Sequence, residues 1–123
     1  MNKKESREDY LEAILVLGKR QELVRAIDIA NELSFSKPSV SIAMKKLKDE
    51  NLIIVSDDGG ISLTEEGRKI AEKTLEKHEF LTSFFISLGI EPQMAEDEAC
   101  QIEHLLNDVT FEKLKEFILR KEK

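Results

Sequence analysis

A mainly α-helical chain, with an N-terminal winged helix-turn-helix followed by a second helical module, is the fold class this 123-residue sequence predicts. Three observations predict it. Apolar residues recur at helical spacing along most of the chain. Two short helical stretches joined by a tight turn precede a pair of β-prone runs, and an Asp-Gly step separates those runs, which is a strong hairpin signal. At 41% hydrophobic and 36% charged residues, the composition suits a soluble helical protein rather than a disordered or membrane one. The longest apolar run, Ala13 to Leu17, is too short to span a bilayer. The opening MNKKESREDY has no apolar core for a secretory signal, so a cytoplasmic protein is expected. A single cysteine excludes an internal disulfide, and no Gly-rich phosphate loop suggests a nucleotide enzyme.

The first helix is expected over residues 6–18, where Tyr10, Leu11, Ile14, Leu15 and Leu17 share helical spacing and Ser6 with Asp9 resembles a capping box. A second, from about Ala26 to Leu33, uses Ile27, Ile29, Ala30 and Leu33 as its apolar positions. In the turn Ser34-Phe35-Ser36-Lys37-Pro38, Ser36 can cap, and Pro38 fits a first helical turn without losing a needed hydrogen bond. The third helix directs Val40, Ala43, Met44 and Leu47 inward. Leu52 to Val55 and Ile61 to Leu63 then form the hairpin. Thr64-Glu65-Glu66 starts a long helix reaching Leu88, with Gly89 as its stop signal. A fifth helix is expected from about Gln93 to Leu106 and a sixth from Thr110 to Arg120. Residues 1–72 form the first domain and residues 73–123 the second.

The helix-turn-helix and hairpin together predict DNA binding, with the third helix in the major groove. Ser36, Lys37, Pro38, Ser39 and Ser41 lie near its N-terminal end, where side chains approach base edges, while Lys45, Lys46 and Arg25 suit phosphates. Residues 37–50 carry four lysines against Asp49 and Glu50, a local balance of +2 within a chain of net charge −6. Asp57 and Asp58 at the hairpin tip would be repelled by phosphates, so this wing is expected to add little affinity.

Charge also singles out the other end. Residues 1–77 hold 14 basic and 15 acidic side chains, and residues 78–123 hold 5 and 10, giving −1 and −5. Between residues 78 and 104 six carboxylates meet no Lys or Arg, and the same window holds both histidines and the cysteine. Glu96, Cys100, Glu103 and His104 follow i, i+4, i+7 and i+8, one helical stripe. Asp9 and Glu12, at i and i+3 on the first helix, and His78 on the fourth could converge with Cys100, Glu103 and His104 in a bundle-type metal site. Such mixed O, N and S donors suit Fe(II), Mn(II), Co(II), Ni(II) or Zn(II) better than Ca or Mg. Taken one at a time, a lone histidine or cysteine on such a face is more often a packed core residue.

These residues resemble the iron- and manganese-dependent repressor family, of the diphtheria toxin repressor and manganese transport regulator type. The likeness runs through SREDYLEAI, DIANELSFSKPSVSIAMKKLKDENLI, LTEEGRKIAEKTLEKHEFL and above all DEACQIEHLL. It implies a homodimer that takes Fe(II) or Mn(II) as corepressor, binds a palindromic double-stranded operator and represses metal-uptake genes, with no membrane and no small-molecule substrate. It implies metal roles for Cys100, Glu103, His104 and His78, and for Asp9 and Glu12 as in manganese-type members. Iron-type members place methionine where Asp9 stands, and manganese-type members can place a carboxylate where Cys100 stands, so the implied donor set is a hybrid. At the ancillary site of iron-type members, Glu96 replaces a histidine and Thr82 a carboxylate. Longer relatives carry an SH3-like domain, for which no room is expected after Lys123. The rival readings are a metal-independent winged-helix regulator with Cys100 as redox sensor, and an enzyme with Cys100 and His104 as nucleophile and base. The second lacks a candidate oxyanion loop, so no enzyme is expected.

Overall fold

The computed structural model describes residues 7–121, so the expected capping role of Ser6 lies outside the described residues. Two compact units divide the chain, one closing at Lys73 and the next opening at Thr74. Among the described residues no helix is long and apolar enough to cross a membrane.

The first unit holds α1 (Arg7–Arg20), α2 (Ala26–Leu33), α3 (Lys37–Asp49), β1 (Ile53–Val55) and β2 (Ile61–Leu63). Leu11, Ile29, Val40 and Ile53 are fully buried and form its centre, and Tyr10 meets Phe35 edge-on at 5.6 Å. Burying each such aliphatic side chain contributes about 1.5–3 kcal/mol. Helix α2 ends where Ser34 turns left-handed at φ 58°, and the Phe35 N–H then reaches the Ala30 carbonyl. That sharp stop sets up the second helix of the pair. Ser36 caps α3 by accepting the Ser39 N–H at 3.2 Å, with Pro38 in the first turn, as the sequence predicts.

Strands β1 and β2 pair antiparallel with Ile53 opposite Leu63, Ile54 opposite Ser62 and Val55 opposite Ile61. Gly59, at φ 86°, supplies the left-handed residue the turn requires. The Ile61 N–H also donates to the Val24 carbonyl at 2.7 Å, tying the wing to the segment between α1 and α2.

Helix α4 (Glu65–Ser87) starts on Thr64, whose hydroxyl accepts the Gly67 N–H and donates to the Asn51 carbonyl. It ends in a Schellman turn: Gly89, at φ 95°, donates to Ile86, and Ile90 donates to Phe85. In the second unit α5 (Pro92–Ile102) and α6 (Asp108–Lys121) follow, with Phe111 fully buried edge-on to Phe80 at 5.6 Å.

Two expectations for this unit need correction. Helix α5 stops at Ile102 rather than Leu106, because the chain tightens there: Leu105 donates back to Ile102, and the Asn107 side chain accepts the Val109 N–H to open α6 two residues earlier than expected. Leu105, in this tightened turn, is 82% exposed.

Candidate metal centre and nucleic-acid interface

The second unit gathers four of the six expected metal donors. His78 sits on α4, Cys100 on the last full turn of α5, Glu103 at the α5 C-cap and His104 in the turn beyond. Glu103 is the centre of the group. It is 1% exposed, and such a buried carboxylate demands compensation. One of its oxygens lies 2.9 Å from His78 Nδ1 and the other 3.4 Å from His104 Nε2. The Cys100 thiol has its sulfur within 4.8 Å of a Glu103 oxygen. Cys100 and both imidazoles are half-buried.

These separations allow two chemistries. With a proton between them, His78 Nδ1–H donates to Glu103. With a cation between them, both atoms are ligands. Metal–ligand bonds of about 2.1 Å put neighbouring octahedral donors roughly 3 Å apart, close to the spacings seen here. The donor set of a carboxylate, two imidazoles and a thiol therefore fits a divalent transition ion.

Asp9 and Glu12 belong to the first unit. Both lie on α1, Asp9 buried at 6% exposure and Glu12 half-buried. Glu96 differs in burial from the rest of the expected stripe. It is exposed while Glu103 is buried, although Glu103 keeps helical backbone angles and its N–H donates to the Ala99 carbonyl, so the two stay in helical phase and differ in what packs over them.

At the N-cap and along α3, Ser36, Lys37, Pro38, Ser41, Lys45 and Lys46 are exposed and Ser39 is half-buried. Exposed Arg25 has a second occupation, since its Nε donates to the Asp58 carbonyl at 3.3 Å. At the wing tip the Asp58 carboxylate turns inward, accepting from the Ser56 hydroxyl and the Gly60 N–H. Those hydrogen bonds, the Ser56 one first, hold its carboxyl below the usual carboxylate range. Sequence reasoning passed over Ile42, which is 71% exposed beside Ser41 and Lys45. Its phase was the available signal: the inward positions Val40, Ala43, Met44 and Leu47 leave Ile42 on the opposite side of α3.

Comparison with known proteins bears on both halves. Residues 4–61 match the description "Iron dependent repressor, N-terminal DNA binding domain" and residues 64–122 match "Iron dependent repressor, metal binding and dimerisation domain". The chain is 31% identical over 116 residues to the transcriptional regulator MntR of Escherichia coli, covering 94% of this chain and 75% of that one. It is 34% identical to an uncharacterized HTH-type transcriptional regulator of Methanocaldococcus jannaschii, covering 93% of each. Among solved structures, the manganese regulator SloR superposes with a TM-score of 0.84 at 32% identity, over 94% of this chain and 54% of that one. ScaR with bound Zn2+ superposes at 0.77 and 31% identity, over 92% and 53%. The chain thus spans about half the length of these two solved relatives. Carrying the DNA-binding part and the metal-binding and dimerisation part in succession, the chain belongs to the iron-dependent repressor family of transcriptional regulators.

Proposed function

We propose that this protein is a cytoplasmic, homodimeric repressor that binds operator DNA when loaded with Fe(II) or Mn(II), residues 1–72 reading DNA and residues 73–123 holding metal and the partner subunit. The carrying observation is the buried Glu103 carboxylate between two imidazoles at 2.9 and 3.4 Å. In this reading His78, Cys100, Glu103 and His104 are ligands. Asp9 and Glu12 complete the set, a role supported by their residue types, their one-turn spacing on α1 and the family resemblance.

A bound divalent cation would supply the positive charge that offsets these carboxylates. Without that charge Asp9, Glu12 and Glu103 repel one another, and the DNA-reading units sample many orientations. Ligation of one cation by α1 and the second unit together would narrow that spread toward the spacing of two operator half-sites, and metal and DNA affinities would then be coupled reciprocally. On the DNA side, Ser36, Lys37, Pro38, Ser39 and Ser41 approach base edges while Arg25, Lys45 and Lys46 meet phosphates. The partner surface draws on exposed Leu88 and Phe117 and on half-buried Phe84 and Phe85.

Anaerobic titration with Fe(II) or Mn(II), read by gel shift on DNA selected from a random pool, tests this. Operator binding should require metal and vanish with chelator; equal affinity under all conditions overturns it. Cys100→Ala should shift preference from iron toward manganese, since removing the thiolate leaves harder donors. Unchanged binding of every metal by that variant would remove Cys100 from the ligand set.

A further inference from the structure

Two of the donors sit where α5 has already ended. Beyond its C-cap Glu103 the regular ladder gives way to the short bond from Leu105 to Ile102 and a longer one, 3.3 Å, from Leu106 to the same carbonyl. Helix ends fray, and their last carbonyls need outside partners. No basic residue lies in the last turn of α5 to supply one locally.

The partner comes from α4. Lys77 is a buried lysine, 8% exposed, beside His78 in sequence. Its ammonium donates to the Leu106 carbonyl at 2.9 Å and pairs with Asp108, in the first turn of α6, at 2.9 Å. The Phe111 ring centroid lies 6.0 Å from the same nitrogen. Successive residues on a helix diverge by about 100°, so one turn of α4 grips both ends of the α5–α6 connection. His78 meets it at Glu103, and Lys77 fastens it at Leu106 and Asp108.

The geometry points to Lys77 as a positioning residue of the metal centre: by clamping the 103–108 connection to α4, it fixes Glu103 and His104 at ligand spacing from His78. A buried ammonium is costly unless paired and hydrogen-bonded, and the Leu106, Asp108 and Phe111 contacts of Lys77 fall on this one connection or on the first turn of α6. The inference rests on the metal-binding reading above. Groups that orient ligands typically change metal affinity by about 10–100-fold when removed.

The full-length protein tests it in three variants. Lys77→Met keeps the length of the side chain and removes the charge and its hydrogen bonds. Asp108→Asn removes the ion pair and leaves the Leu106 bond. Lys115→Met is the control, because Lys115 ties α6 to Glu76 of α4 at 2.6 Å and lies over the Phe111 ring as Lys77 does, yet pairs with Glu76 and Glu112 rather than with the 103–108 connection. Mn(II) affinity and the Co(II) ligand-field spectrum are measured after circular dichroism confirms folding. Lys77→Met should bind Mn(II) roughly ten-fold or more weakly with an altered Co(II) spectrum, Asp108→Asn should show a smaller change in the same direction, and Lys115→Met should stay within about two-fold of wild type. A folded Lys77→Met with wild-type affinity and spectrum overturns the inference, as does an equal loss in Lys115→Met. Should Lys77→Met fail to fold, Asp108→Asn decides, and wild-type affinity there overturns it. Failure of the wild-type protein to bind Mn(II) or Co(II) at all strikes the underlying metal reading instead.

Discussion

At the scale of single residues, the side chains that matter are those whose exposure contradicts their chemistry. Glu103 is a carboxylate without water, and Ile42 an aliphatic side chain without a core. Ile42→Ala is expected to leave unfolding free energy within about 0.5 kcal/mol of wild type, because a side chain that is 71% exposed contributes little packing. The same change should alter which sequences are recovered from a random DNA pool, since an aliphatic side chain in the major groove favours thymine methyl groups. Identical recovered sequences would place Ile42 away from the bases. Asp58 carries a pH signature. Its folded-state value is depressed, so the stabilisation it gives the wing turn is fully present above its ordinary value of 3.8 and is lost as pH falls through the lower folded value. A carboxyl titration by NMR should find Asp58 below 3.8 in wild type and shifted upward in Ser56→Ala, which removes the leading cause. No upward shift would mean that the Ser56 hydroxyl does not set it.

At the scale of elements, the joints are more demanding than the helices. Gly67, in the first turn of α4, is buried against the Leu52 backbone, and a Cβ there would fall on the Leu52 carbonyl oxygen. Backbone cannot yield as a flexible side chain can. Gly67→Ala should therefore destabilise the protein by about 1–3 kcal/mol despite alanine's better helix propensity, as for other overpacked sites. Denaturant unfolding checks it, and a stabilised variant would show that α4 can shift away from the Leu52 backbone. This joint matters to function because α4 begins at the wing and carries His78 in the other unit.

At the scale of the whole molecule, a ligand that favours the folded state must stabilise it. Mn(II) at 100 times its dissociation constant should add about 2.7 kcal/mol to the unfolding free energy. The rise in melting temperature should disappear with chelator and in Glu103→Ala; retention in that variant would mean the ion binds elsewhere. Operator DNA should tighten Mn(II) binding by the same factor by which Mn(II) tightens DNA binding.

The helices, the Ser36 cap, the Asp-Gly hairpin and the Gly89 stop were legible in the sequence because each depends on local periodicity or on one residue's backbone preference. The residue types of the donor set were legible too, as the chemistry of a thiol, a carboxylate and imidazoles does not depend on their placement. Where α5 ends was not. Its apolar and polar spacing runs on past Ile102, but hydrogen bonding from Asn107 and from distant Lys77 closes the turn, and a contact between residues 29 apart leaves no periodic trace. Tertiary structure alone therefore buried Glu103 while leaving Glu96 exposed, and brought His78 to it, because burial and hydrogen bonding across helices are decided by which faces pack, not by the spacing within either one.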